Sequence, residues 1–421
     1  MIFLLIKLKL LHQDFFKNKN TALPVNYFME KRIRSWILIA ICTLSFFQGS
    51  SQVLLKQANK LYDAMAYERA IPKFMAGLKK DSMNVENGLK LADCYRLTHN
   101  SLQAERWYSK SVKAGMGKPI DKFYYAQALM SNGKYAEARK WLEEFQKTDP
   151  TDKRAESLIK SIDNINGYSE DSQNFKVEKV NINSSFTDFG AVEYRDGIIF
   201  VSARERNQPV NRTHTWTGEK FLALYKAQGK EATFTDPKLF EKSIQTVYND
   251  GPVCFNKLGD EMYITTNNIE EGKTRRSNEG VVKLKIYEYK FIENEWAFED
   301  TFPPNNDQYN VAHASLSSDG NKLYFASDMP GGIGGMDIYV CNKKDKTWDT
   351  PINLGDKINS AGNEIFPYIK SDGILYFASN GHEGLGGLDI YSAQEKNANW
   401  GDVKNLMAPM NSKEDDFGRS Y

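Results

Sequence analysis

Leu323-Tyr324-Phe325-Ala326-Ser327 followed by Gly334-Gly335-Met336-Asp337-Ile338-Tyr339 returns, 52 residues on, as Leu375-Tyr376-Phe377-Ala378-Ser379 and Gly386-Gly387-Leu388-Asp389-Ile390-Tyr391. Trp348 and Trp400 keep the same interval. Within each copy, short apolar runs of period two are broken by Asp-Gly, Asn-Gly and Gly-Gly, the text of strands joined by tight turns. The clearest copy reads as an inner strand around His313 to Leu316, a turn at Asp319-Gly320, Lys322 to Ala326, a glycine loop, Asp337 to Cys341, and an outer strand from Trp348 to Leu354. Four strands per unit, repeated radially, is the construction of a β-propeller.

Weaker copies lie upstream, with Asp196-Gly197 before Ile198-Ile199-Phe200-Val201 and Gly259-Asp260 before Met262-Tyr263-Ile264-Thr265. Four blades are expected, beginning near Asp188, Asn249, Asn310 and Asn363, and a fifth opens at Asp415-Asp416-Phe417-Gly418. Phe175 to Ile182, followed by Asn183-Ser184, reads as an outer strand without the strands that should precede it. In a closed ring such a strand completes the last blade and removes an exposed edge. The expectation is therefore a β domain over 175–421 whose last blade is truncated, with further sequence after Tyr421 in the complete protein.

Before the β half a second period governs. Ala58, Ala92 and Ala126 stand 34 residues apart, as do Ala70, Ala104 and Ala138, and Phe74, Tyr108 and Leu142 make a third column. Around the alanines, apolar residues recur at helical spacing, for example Leu55, Ala58, Leu61 and Tyr62. A short side chain at each alanine lets two antiparallel helices approach closely, while the bulky column fills the space between successive pairs. Gly133-Lys134-Tyr135, Trp141 and Pro150 complete the third unit, and with the 34-residue interval it resembles the tetratricopeptide repeat. Ser82 and Met116 stand where Pro150 would in units one and two, and a last helix from Asp152 is expected to cap the stack. The resemblance implies a helical domain over 53–165, a polar linker over 166–174, and a concave partner-binding face presenting Asn59, Tyr62, Asp93, Arg96, Gln127 and Met130.

The fold class is thus α + β multidomain: an all-α tetratricopeptide solenoid followed by an all-β propeller. Its 421 residues, 41% hydrophobic and 13% aromatic, suffice for two cores. With 55 basic against 54 acidic residues, net +1, there is no field of the kind nucleic-acid proteins carry, and nucleic acid is not an expected partner. Lys31, Arg32 and Arg34 precede an apolar run from Trp36 to Phe47, and Gly49-Ser50-Ser51 follow. These are the three parts of a secretory signal over 29–51, cleaved before Gln52. Met29 is a natural start, so residues 1–28 are expected to be a mis-assigned extension, the alternative being a membrane-anchoring one. A lipoprotein reading of Cys42 is disfavoured by bulky Ile41 before it. Cys94, Cys254 and Cys341 form no C-x-x-C pair and read as buried apolar residues.

Leu316 to Ser327 followed by Gly-Gly and Asp337-Ile338-Tyr339 resembles the WD-like repeat of TolB-type periplasmic propellers, and Lys370 to Tyr391 does so equally. Behind a helical stack and a signal, over about residues 29–421, the whole is similar to the N-terminal part of OmpA-family envelope proteins of Bacteroidetes, including PorE-type components of type IX secretion. That resemblance implies an exported, non-catalytic scaffold at the periplasmic side of the outer membrane with protein partners there. Peptidoglycan would be reached only through a C-terminal OmpA-like domain that this chain does not carry. A stand-alone TolB-like binding propeller and, more remotely, a propeller hydrolase are the rival readings.

No cofactor, metal or catalytic residue is expected. Gly331-Gly332-Ile333-Gly334-Gly335-Met336-Asp337 superficially resembles a calcium nonapeptide, but that cage needs tandem copies nine residues apart. The glycines read instead as a tight interstrand loop, with Asp337 and Asp389 bonding its backbone, so that Gly334, Gly335, Gly386 and Gly387 are structural. There is no G-x-S-x-G elbow, the Asp319-Gly320 turn lacks the spacing of a sialidase Asp-box, and Gly272-Lys273-Thr274 lacks the first glycine of a phosphate loop. His99, His214, His313 and His382 show no metal-ligand spacing, and His313 reads as a core or channel-facing residue.

Overall fold

The computed structural model describes Trp36 and residues 51–79, 84–168, 176–206, 213–230, 233–270, 272–397 and 399–418. The extension 1–28, nearly all of the signal 29–51 and most of the linker 166–174 lie outside the described residues. Seven helices come first among these: residues 51–63 (α1), Tyr67–Leu78 (α2), Val85–Leu97 (α3), Ser101–Val112 (α4), Pro119–Ser131 (α5), Tyr135–Thr148 (α6) and Arg154–Asp163 (α7). Asn84 and Asn100 cap α3 and α4 by accepting the N–H groups of Asn87 and Gln103, each at 3.2 Å. All six repeat alanines are 0% exposed, as are Phe74, Tyr108 and Leu142, so the 34-residue columns are the seams between helices.

Four antiparallel sheets follow. Blade one runs Asp188–Tyr194, Gly197–Ser202, Ala223–Lys230 with Lys238–Leu239 outermost, and blade two runs Asp250–Phe255, Glu261–Asn267, Leu284–Ile292, Glu295–Thr301. Blade three runs Val311–Leu316, Lys322–Ser327, Asp337–Lys344, Ile352–Asn353, and blade four Glu364–Ile369, Ile374–Ser379, Asp389–Lys396, Lys404–Asn405. The outer strands are shorter than the sequence pattern predicts, because Trp348 and Trp400 belong to two-residue hairpin extensions of the third strands. Residues 176–182 do not form the expected strand; among the described residues none pairs with them in a ladder. The start of the presumed linker is no free tether either, since Tyr168 is 3% exposed and its carbonyl accepts the Ala408 N–H at 2.8 Å.

Two side-chain clips repeat from blade to blade. An amide pins the third strand by its backbone: Gln245 at Leu224, Asn305 at Ile286, Asn359 at Ile338 and Asn411 at Ile390. One residue after three of those amides, Thr246, Ser360 and Ser412 each donate a backbone N–H to an acid opening the next inner strand, Asp250, Glu364 and Asp416, at 2.7, 2.8 and 2.6 Å. Ser184 and Asp188 make the same bond, at 2.6 Å.

Burial raises the carboxyls of Asp250, Glu364 and Asp416, whereas at Asp188 the hydrogen bonds from Ser202, Ser184 and Arg204 outweigh it and hold the carboxyl low. Asp250 is fully buried, Arg206 Nη1 is 4.0 Å away, and desolvation pushes its carboxyl up to about 7. The folded protein therefore holds a proton that the unfolded chain has released above about 4. Stability falls as pH rises from about 4 to 7, by at most about 4 kcal/mol for this group. Asp250→Asn is expected to keep the Thr246 bond and flatten that decline, read as a smaller loss of Tm between pH 5 and 8 than in the unmodified protein.

Candidate functional site: the central cavity and the helical face of the propeller

Each inner strand carries a bulge at the same place, between Phe189 and Val192, Asp250 and Val253, Ala312 and Ser315, and Ile365 and Tyr368. Gly190 and Gly251 meet the bulges of blades one and two with positive φ, as glycine readily does, but blades three and four place His313 (φ 59°) and Phe366 (φ 51°) there. Left-handed backbone at bulky residues is strain held by its surroundings. The two rings stack, 3.9 Å between centroids at 10°, and Phe366 is flanked by Phe417 at 5.0 Å and Phe189 at 5.8 Å. Burial pushes the His313 imidazole down to about 3, so it is neutral across the physiological range, and its backbone N–H donates to Thr265 Oγ1 at 2.9 Å.

These rings stand at one end of a cavity of about 910 Å³ enclosed by the inner strands. At the other end, where the inner strands finish, Glu193, Lys257, Asp319 and Lys370 line the mouth with both signs of charge. Sequence reasoning read His313 as a core or channel-facing residue, and it lines the cavity. Phe366 was missed, since a phenylalanine in an apolar run carries no sign of its backbone conformation.

The helical stack is held against the aromatic end. Trp216, in the loop between the second and third strands of blade one, donates Nε1–H to the Leu97 carbonyl at 2.8 Å and meets Tyr67 edge-on at 4.9 Å. Ser157 Oγ donates to the Gly381 carbonyl at 2.8 Å and Ser161 Oγ accepts the Gly384 N–H at 2.9 Å, tying α7 to the glycine loop of blade four. His99 Nδ1 lies 2.9 Å from Asp415 Oδ2. A cavity of about 210 Å³ separates Arg96, Tyr124, Gln127 and Arg154 from the loops holding Gly335, Asn363 and Asn380.

This arrangement changes the meaning of the six residues assigned to the concave face. Arg96 and Gln127 look onto the chain's own propeller. Asp93 accepts from Tyr62 at 3.1 Å, from Tyr108 at 2.5 Å and from Arg96 at 3.3 Å, and Arg96 lies 3.9 Å over the Tyr124 ring. Asn59 donates to Asn87 at 2.6 Å and accepts from Lys90 at 2.5 Å. Met130 is 3% exposed, a correction to its expected place on the surface: the helix turns it into the core with Phe123 and Leu129. Trp216 and the serines of α7 were missed because they belong to no repeated column.

The glycine loops are packing devices. A Cβ on Gly334 would lie 2.2 Å from the Ser360 carbonyl oxygen, and one on Gly386 2.2 Å from that of Glu414. Cβ atoms on Gly335 and Gly387 would meet the side-chain oxygens of Asn363 and Asp415 at 2.4 and 2.1 Å. Asp337 accepts the N–H groups of Ile333 and Gly334 at 2.5 and 3.1 Å, and Asp389 that of Gly386 at 3.0 Å. Among the described residues no three His, Cys, Asp or Glu side chains are grouped to hold a metal ion. Lys273–Thr274 is half of a small hairpin with Ile269–Glu270, not the entry to a helix.

No family model and no curated protein matches the chain. Among solved structures, the type III secretion chaperone SycD of Yersinia enterocolitica, in complex with a peptide of the translocator YopD, is 24% identical over 27% of this chain and 93% of its own, with a TM-score of 0.24. The α-L-arabinofuranosidase of Lactobacillus brevis is 10% identical over 57% of this chain and 77% of its own, with a TM-score of 0.35. The exo-β-1,3-galactanase of Clostridium thermocellum is 13% identical over 56% and 50%, with a TM-score of 0.32. Scores this low support no function.

Proposed function

We propose that the chain is a non-catalytic protein-binding scaffold of the cell envelope, exported to the periplasmic side of the outer membrane. Its class is that of the OmpA-type components associated with type IX secretion. One observation carries the binding role: the helical stack and the propeller interlock at the aromatic end, leaving the charged mouth of the central cavity as the concave surface presented outward. A segment of a partner protein entering that mouth would meet inner-strand backbone and, at the far end, the neutral His313 and Phe366 rings. The signal-like segment 29–51 supports export.

A photo-crosslinking residue at Lys257 or Lys370, in the native host, tests this. The expected result is co-sedimentation with the outer membrane and one discrete adduct with an envelope protein, abolished by cavity-filling Ala314→Trp. Recovery from the soluble cytoplasm, or adducts indifferent to Ala314→Trp, would overturn the reading. Turnover on glycoside or peptide panels that disappears with the same substitution would move the protein to the hydrolases.

A further inference from the structure

Blade two ends differently from its neighbours. Its outermost strand, Glu295–Thr301, is 7 residues long, whereas Lys238–Leu239, Ile352–Asn353 and Lys404–Asn405 in the other blades have 2 each. It pairs with Leu284–Ile292, and among the described residues no strand pairs with its outer side. Every residue in it but Trp296 is exposed. An open edge of this length is a template for another strand.

Register against the third strand sorts the side chains of this edge onto two faces. Trp296 stands opposite Phe291 and Phe298 opposite Tyr289, so the aromatic side chains share the face that meets blade one at Phe240. Phe298 is 56% exposed, 5.8 Å from the Tyr289 ring and 6.3 Å from that of Tyr287, and forms an apolar ledge. On the other face Glu295 and Ala297 stand opposite Ile292 and Lys290, and past a bulge Asp300 stands opposite Glu288. Lys290 is the one base of the hairpin on that face, and it is taken by Glu299 at 2.7 Å and Glu288 at 3.9 Å. Glu295 and Asp300 are left without an ion pair among the described residues. Pairing two copies of this strand would crowd the carboxylates of both, and like charges across a strand pair destabilise it. A strand of opposite charge gains where a copy loses.

We infer that the outer edge of blade two takes an extended segment of a partner protein in which lysine or arginine alternates with apolar residues. The segment adds to the sheet beyond Glu295–Thr301. Main-chain bonds supply the affinity of such strand addition, and side chains of period two supply its specificity. The basic side chains meet Glu295, Glu299 and Asp300, and the apolar ones cover Phe298. This edge is apart from the central cavity on which the proposed binding role rests.

The probe is a synthetic peptide with blocked ends, alternating lysine with valine over the length of this strand, offered to the full chain. Hydrogen exchange across Glu295–Thr301 is expected to slow about tenfold at saturation. A peptide of the same charge with proline at its centre cannot complete the ladder and should give no protection. Glu295→Lys combined with Asp300→Lys changes two exposed side chains and should leave the Tm unchanged. It should weaken the lysine peptide about tenfold and let a glutamate–valine peptide bind in its place. Ala314→Trp, which fills the central cavity, should leave binding at this edge as it was, so failure here and failure of the cavity reading are read separately. Absence of protection overturns the proposal, as does equal protection by the proline peptide or by the glutamate peptide on the unmodified chain. Loss of binding in Ala314→Trp would place the peptide in the cavity and overturn it too. Concentration-dependent dimerisation that protects Glu295–Thr301 without peptide would assign the edge to a second copy instead.

Discussion

Gly334→Ala is expected to destabilise the propeller by about 3 kcal/mol, at the upper end of the usual cost of overpacking. The added methyl group would meet the Ser360 and Gly362 carbonyl oxygens at 2.2 and 2.5 Å. Both are backbone atoms of the segment that carries the Asn359 and Ser360 clips, so relief requires moving the junction between blades three and four. Gly386→Ala repeats the experiment one blade on, against Ser412 and Glu414. Gly320→Ala is the control: its φ is 73° but nothing lies within 4 Å of the added atom, so only the left-handed backbone penalty of about 1 kcal/mol remains. Chemical denaturation of the three variants checks the order. Equal losses at Gly334 and Gly320 would show that backbone conformation, not the crowded junction, decides the site.

Asp93→Ala should cost the helical stack about 3 kcal/mol. Asp93 is the common acceptor for Tyr62, Tyr108 and Arg96, and its side chain is 18% exposed. Removing one member of such a group leaves the others desolvated without their partner, which costs more than the pair contributes. Tyr108→Phe removes one hydroxyl of the group and should cost about 1 kcal/mol. Because Tyr108 also accepts from Arg96 Nε at 3.2 Å, the two losses should not add in the double variant. Additive losses measured in urea would mean that the three contacts act independently.

The 34- and 52-residue intervals made both architectures legible, since each marks residues that packing forces to recur: the alanines between helices and the aromatic second strands of the blades. What sequence could not reveal has a different physical origin. Asp93 and Arg96 are polar residues on the inner helices, and whether they face solvent, a partner or one another depends on where the propeller sits. Trp216 lies in the loop between the second and third strands of blade one, where the corresponding loops of the other blades carry no tryptophan, so no column marks it. His313 and Phe366 are set apart by backbone conformation alone. Residues 176–182 read as a strand because their pattern is that of one, but a strand is a relation between two segments.

The bonds joining the helical stack to the propeller run largely to main-chain atoms: the carbonyls of Leu97 and Gly381, the N–H of Gly384, and the Glu68 N–H to the Trp216 carbonyl. A main-chain partner keeps its chemistry whatever side chain it bears. Across related sequences, the two halves can therefore diverge at their boundary without compensating exchanges, and correlated substitution would under-report how firmly they are joined.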